Sequence, residues 1–235
     1  MITVTNFENL GTFANDWLNA HYHFSFAGYH DPRKMGLGPL RVWNDDTIEP
    51  GTGFDPHPHR DMEIITYVRH GAISHEDSIG NKGRTEAGDV QVMHAGTGIV
   101  HAERNLEDGQ TTLFQIWITP DRTGHEPGWE ARAFPKDPVS GTLPALASGR
   151  DEHPDAMRIH QNASVHGGRI NAGEGVSHTL GTGRAAYLVV SEGAVEVNGT
   201  FIDTRAGATI KDTDVLDIKA LEASEVVLVD VPMKY

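Results

Sequence analysis

Tyr67-Val-Arg-His-Gly71-Ala-Ile-Ser, running on to Ala87-Gly88-Asp89-Val90, has a counterpart half a chain length later. That counterpart is Tyr187-Leu-Val-Val-Ser-Glu-Gly193-Ala-Val-Glu, running on to Ala206-Gly207-Ala208-Thr209. In each copy an apolar strand reaches a glycine turn, a second strand returns, and an Ala-Gly pair precedes the next strand. Two matching hairpins so spaced predict an internal duplication. Around them, short apolar/polar alternations bounded by Gly, Asn, Asp or Pro read as antiparallel strands. Leu40–Asn44, Met62–Val68, Asp89–Met93 and Thr112–Thr119 carry the pattern in the first half. Ala186–Ser191, Ala194–Val197, Val215–Ile218 and Glu225–Val231 carry it in the second. Helical periodicity is confined to a turn or two over Asn15–Ala20. An all-β chain of two similar barrels or sandwiches is therefore expected. The stretch Pro120–Pro154, rich in Pro, Gly, Asp and Arg, reads as the linker, which divides the chain into residues 1–135 and 136–235.

The chain has 235 residues, no cysteine, 14 histidines, and 33 acidic against 19 basic side chains, for a net charge of −14. Without cysteine there is no disulfide framework, thiolate zinc site or cysteine nucleophile, so a metal must be held by imidazole and carboxylate. The acidic balance and the lack of a basic cluster argue against direct nucleic-acid binding. Met1–Leu10 lacks the features of a signal peptide, and nowhere do about 18 apolar residues run together. The expectation is a cytoplasmic protein, away from membranes. With no coiled-coil pattern or long apolar strip, a monomer is expected.

Nine of the fourteen histidines fall within the first 101 residues. The informative stretch is Gly51-Thr-Gly-Phe-Asp-Pro-His57-Pro-His59-Arg-Asp-Met-Glu63. In a strand, residues i and i+2 share a face about 6.5 Å apart, so His57 and His59 aim into one pocket. Pro58 suits a strand edge or rim. Later, in Ala95-Gly-Thr-Gly-Ile-Val-His101-Ala-Glu103-Arg-Asn105, His101 and Glu103 share a face by the same alternation. Three imidazoles and a carboxylate suffice for a first-row divalent metal with positions left open. Strand parity places Glu63 on the face of His57 and His59 as well, so the identity of the carboxylate stays open. His75 reads as a structural hydrogen-bonding residue. Histidines such as His23, His125, His160 and His166 have no spacing partner and are expected to be solvated or structural.

These residues carry a resemblance. The pattern of Gly51, His57, His59 and Glu63, followed by Gly88, His101 and Asn105, resembles the two cupin motifs, with a longer spacing before His101. More closely, Phe24-Ser-Phe, Tyr29-His-Asp-Pro32, Leu40-Arg-Val, His57-Pro-His-Arg-Asp-Met-Glu63, His75-Glu-Asp77 and Ala95-Gly-Thr-Gly-Ile-Val-His-Ala-Glu103 resemble the pirin family. The likeness is greatest to its bacterial pirin-like quercetinases. The match covers roughly residues 20–120.

The resemblance implies two tandem cupin (jelly-roll) barrels, a bicupin. It implies one divalent metal held by His57, His59, His101 and Glu103, with Glu63 as alternative ligand or as acceptor for an imidazole N–H. The second unit lacks an HxH and has only His178 in the corresponding region, so it is expected to be metal-free. The implied activity is that of a quercetin 2,3-dioxygenase, which opens the central ring of a flavonol with O2 and releases CO. Glu103 is then the candidate general base. Fe(II) is the expected ion, with Mn, Ni, Co, Cu and Zn as competitors. Phe54, Met93, His94 and Phe114 are candidate pocket residues. The other reading is a metal-dependent regulatory protein, like nuclear pirins, acting through a protein partner.

Overall fold

The computed structural model describes residues 1–234. Apart from one short 3-10 turn at Phe7–Asn9, the regular structure is β, arranged as two barrels that share a central strand order. The first has a seven-stranded wall in the order Gly128–Arg132, Val90–His94, Glu63–His70, Thr111–Ile118, Leu40–Ile48, Leu18–Tyr22 and Gly11–Ala14. Its facing wall is Gly53–His59, Ile99–Arg104, Ala72–Asp77 and Lys82–Glu86. In the second barrel, Gly207–Lys211, Arg184–Glu192, Ser224–Pro232 and Ser164–Ile170 repeat the order of the four strands that begins with Val90–His94. The duplication seen around Gly71 and Gly193 is thus a repeat of the whole barrel. Both glycines turn with positive φ, 73° and 77°, where a side chain would be strained.

The two seven-stranded walls pack face to face, and alternation along each strand sorts residues between that seam and the barrel interiors. Odd positions Ile65 and Tyr67, and even positions Phe114, Ile116 and Ile118, face the seam, where they meet Val165, Tyr187, Val227 and Val229 of the second barrel. The opposite parity fills the interiors. In the second barrel these residues are largely apolar, including Leu188, Leu216, Ile218 and Leu228, beside the buried Ser164, His166, His178 and Asp230. In the first, a smaller apolar cluster around Ile48, Val68, Ile73 and Leu113 leaves room for buried polar groups: Asn44, Asp46, Thr66, Gln91, His101, Glu103 and Gln115. The buried polar groups of the first barrel lie beside His57, His59 and His101, which converge from two adjacent strands, and this locates the candidate site.

Three expectations change. Asn15–Ala20 is not helical. Leu18–Tyr22 is a strand paired with Leu40–Ile48, which buries Leu18, Ala20 and Tyr22 by period-two alternation. The presumed linker is partly ordered, since Gly128–Arg132 pairs with Val90–His94. Finally, Ile2–Thr5 pairs with Gly207–Lys211, so the first strand of the chain completes the second barrel's wall. We propose residues 1–135 and 136–235 as the two units, with this strand reaching across.

Two buried histidines, one at the seam and one inside the second barrel, also predict acid sensitivity. His23 is fully buried beside Tyr187, with 2.9 Å between Nδ1 and the phenolic oxygen, and burial holds its pKa down to about 3. His166, between the Leu143 carbonyl and the Ser164 hydroxyl, is likewise held by burial at about 3. Between pH 6.5 and about 3 each ring is protonated when unfolded and neutral when folded. Their stabilisation is therefore full above pH 6.5 and is lost as pH falls, on the order of a few kcal/mol each. The thermal midpoint is expected to drop steadily from pH 6.5 to 4.5, less steeply in His23→Gln. A flat profile over that range would contradict the assignment.

Candidate metal centre

His57 and His59 lie on the strand Gly53–His59, and His101 and Glu103 on its neighbour Ile99–Arg104, with His57 directly opposite His101. Gly53 sits against the Glu103 backbone, where an added Cβ would come within 2.2 Å of the carbonyl oxygen. That close approach ties the two strands together at the site. One ring nitrogen each from His57, His59 and His101 lies within 4.8 Å of the others. The rings converge with centroids 4.5–5.0 Å apart.

The hydrogen bonding of His57 and His101 leaves ring nitrogens free to bind an ion. The His57 Nδ1–H donates to the Asp55 carbonyl at 2.7 Å, which leaves Nε2 with its lone pair. His101 is 2% exposed, yet neither of its ring nitrogens has a partner. Buried polar atoms are rarely left so, and an ion at the convergence point would satisfy them. Burial, reinforced by His57 and His59, holds the His101 pKa down to about 2, and burial with His57 holds His59 at about 4. His59 and His101 are therefore held neutral, as metal coordination requires. The donor set fits a divalent metal.

Glu103 is held from behind by two amides. Gln91 Nε2 donates to Oε1 at 2.6 Å and Gln115 Nε2 to Oε2 at 2.7 Å, with a longer contact from the Thr66 hydroxyl at 3.4 Å. Each amide is itself oriented: Thr85 Oγ1 donates to the Gln91 carbonyl oxygen at 3.0 Å, and Trp117 Nε1 to that of Gln115 at 3.1 Å. The carboxylate is thus fixed while lone pairs remain free. Burial raises its pKa to about 7 against the lowering effect of these donors. Glu103 groups with His101 and His75, whose donor atoms lie within 4.8 Å of one another. His75, read from sequence as structural, stands opposite Glu103 in the sheet, stacks on Trp129 and bonds Asp77 through Nε2 at 3.1 Å. Its position beside His101 was not visible in its spacing.

Glu63 lies elsewhere. Asp61, at φ 48°, breaks the strand after His59, so the parity carried through from His57 is lost. Glu63 opens a new strand on the seam face, where its partners are His94 and His160 rather than any of the three converging histidines.

Beside the histidines opens a cavity of about 400 Å³. Its apolar walls include Trp17, Tyr22, Phe26, Phe54 and Trp117, and its polar lining includes Asn44, Asp46 and Gln115. Trp117 meets His59 edge to face at 4.9 Å, and Phe54 meets Trp17 at 5.1 Å. Of the expected pocket residues only Phe54 lines it. Met93 is buried in an apolar cluster with Ile64 and Ile99, Phe114 is in the seam core, and His94 is engaged by Glu63. Period-two alternation explains this for Phe114, because Gln115 and Trp117 take the interior face and Phe114 the opposite one. No helix among the described residues is long and apolar enough to cross a membrane.

Comparison with known proteins agrees with this architecture. Residues 4–118 match the Pirin family model and residues 145–231 that of the quercetinase C-terminal cupin domain. A pirin-like protein of Caulobacter vibrioides is 55% identical over 230 residues, 98% of this chain and 99% of that one. The quercetin 2,3-dioxygenase of Escherichia coli K12 is 40% identical over 233 residues, 99% of each chain. The crystal structure of the E. coli pirin YhhW in complex with nickel(II) superposes with a TM-score of 0.90 at 38% identity, covering 99% of both chains. With its two matching barrels and full-length relatives, the chain belongs to the pirin family of bicupins.

Proposed function

We propose that this chain is a metal-dependent dioxygenase of the quercetinase type, which opens the central ring of a flavonol with O2 and releases carbon monoxide. The observation that carries the reading is the pairing of three converging imidazoles with an aromatic-walled cavity that ends on buried, unpartnered acceptors. His57, His59, His101 and Glu103 are the proposed ligands. We propose Fe(II) as the ion, with Ni(II), bound in the E. coli relative, as first competitor. When bound, the ion supplies Lewis acidity toward a phenolic oxygen and redox access to O2.

The side chains do the rest. Trp17, Phe54 and Trp117 hold flat aromatic rings and exclude water. Glu103, immobilised by Gln91 and Gln115, accepts the proton of the flavonol 3-hydroxyl as the anion forms. Asn44 and Asp46 sit two apart on the strand Leu40–Ile48, and each has a buried, unpartnered Oδ1. Burial, with the neighbouring carboxylates of Asp45 and Glu103, raises the Asp46 carboxyl well above the usual range, which favours its protonated form, able both to donate and to accept. Such a pair suits the hydroxyl groups of a polyphenol. Asp46→Leu is expected to raise KM for a hydroxylated flavonol roughly 5- to 100-fold, the cost of stranding a hydroxyl in a buried site. An unchanged KM would remove Asp46 from substrate recognition.

The direct test follows flavonol absorbance with metal-reconstituted protein in air and under argon. Loss of absorbance only with O2 supports the enzyme. No turnover with any of Fe, Mn, Ni, Co or Cu would leave the binding role.

A further inference from the structure

Glu63 and His94 stand opposite each other on adjacent strands, on the seam face, and His160 reaches them from the second half of the chain. The Glu63 carboxylate is 1% exposed and gives one oxygen to each ring: 2.6 Å from Oε2 to His94 Nδ1 and 3.2 Å from Oε1 to His160 Nδ1. Among the described residues its only ion-pair partners are these two imidazoles, with no lysine or arginine. A buried carboxylate is costly unless its charge is compensated. A divalent cation would supply the missing charge.

The geometry suits one. A donor atom from each of the three residues lies within 4.8 Å of the other two. For bonds of roughly 2.0–2.2 Å, tetrahedral donors stand roughly 3.3 Å apart, within reach of small side-chain shifts from the 2.6 and 3.2 Å contacts present. The ion would take the place of the proton on each Nδ1, and that proton would move to Nε2, so each ring stays neutral and the carboxylate stays charged. The rings are also held in place. His160 stacks on His125 at 3.9 Å, His125 bonds Asp121 at 2.7 Å, and the Asp121 N–H donates to the His160 carbonyl at 2.6 Å. Gly96, at φ 44°, passes so close beneath His125 that a Cβ would lie 2.1 Å from its carbonyl oxygen. Orientation of ligand histidines by such supporting contacts is what a built metal site requires.

We propose that Glu63, His94 and His160 form a second divalent-metal site, separate from the three-histidine centre, that clamps the two cupin units across their seam. Two imidazoles and one carboxylate favour Zn(II), Co(II), Ni(II) or Cu(II) over Mg(II) or Ca(II).

Cobalt(II) titration of untagged, chelator-stripped, full-length protein tests this by visible absorption and metal analysis. Wild type is expected to bind two equivalents, and His57→Ala/His101→Ala one. Adding His160→Phe to that double variant should remove the last equivalent, because phenylalanine keeps the stack on His125 but has no ring nitrogen. Zinc(II) should raise the unfolding midpoint of the double variant and leave that of the triple variant unmoved. The proposal is overturned if the double variant binds no cobalt, or if its single equivalent survives His160→Phe or His94→Ala. These readouts involve no turnover, so they stand apart from the dioxygenase reading, which fails or holds on the flavonol assay.

Discussion

His101→Ala is expected to abolish flavonol turnover and to weaken metal binding at the three-histidine centre on the order of 100-fold or more, while leaving the metal-free protein as stable as wild type or slightly more so. The opposite signs come from the same observation. In the metal-free fold, His101 is buried with both ring nitrogens unpartnered, a desolvation cost that no protein contact returns. Alanine removes that cost and leaves a cavity whose penalty offsets it in part. In the loaded protein the same ring is a ligand, and its loss forfeits the stabilisation that metal confers on the folded state. Differential scanning calorimetry with and without metal therefore separates a ligand from a structural histidine. A large loss of stability in both states would make His101 a packing residue and overturn its assignment.

Glu103→Gln should lower kcat/KM by about 10²- to 10⁴-fold, the range for loss of a positioned proton acceptor, and should weaken metal binding as well. The substitution keeps shape but replaces an oxygen that accepts from Gln91 or Gln115 with an amide that faces a donor. Glu63→Gln is the matching control. Its carboxylate is committed to His94 and His160, so turnover and metal at the three-histidine centre should persist. Active Glu103→Gln together with an inactive, metal-free Glu63→Gln would exchange the two roles.

Much of the site was legible because period-two alternation is a local rule. It carried His57 to His59 and His101 to Glu103 without any knowledge of the fold, and the repeat around Gly71 and Gly193 carried the duplicated barrel. The rule failed where the chain left regular conformation. Asp61 enters the left-handed region between His59 and Glu63, so a parity that should place Glu63 with the histidines instead puts it on the seam. Contacts made by distant residues left no signal either. Gln91 is an ordinary strand residue until the barrel closes around Glu103, and His160 gains its partners only when the two units pack. Ile2–Thr5 belongs to the second barrel for the same reason, since pairing across nearly the whole chain is a tertiary event. Phe114 and Met93 went to apolar cores because hydrophobicity marks burial without saying which face is buried.

The most direct test is the stoichiometry of a single reaction mixture, in which flavonol loss, O2 consumption and carbon monoxide release are measured together with metal-loaded protein. The three are expected in equal molar amounts, and all should vanish in His57→Ala. Flavonol loss without carbon monoxide, or equal amounts that persist in His57→Ala, would contradict ring-opening dioxygenation at the three-histidine centre.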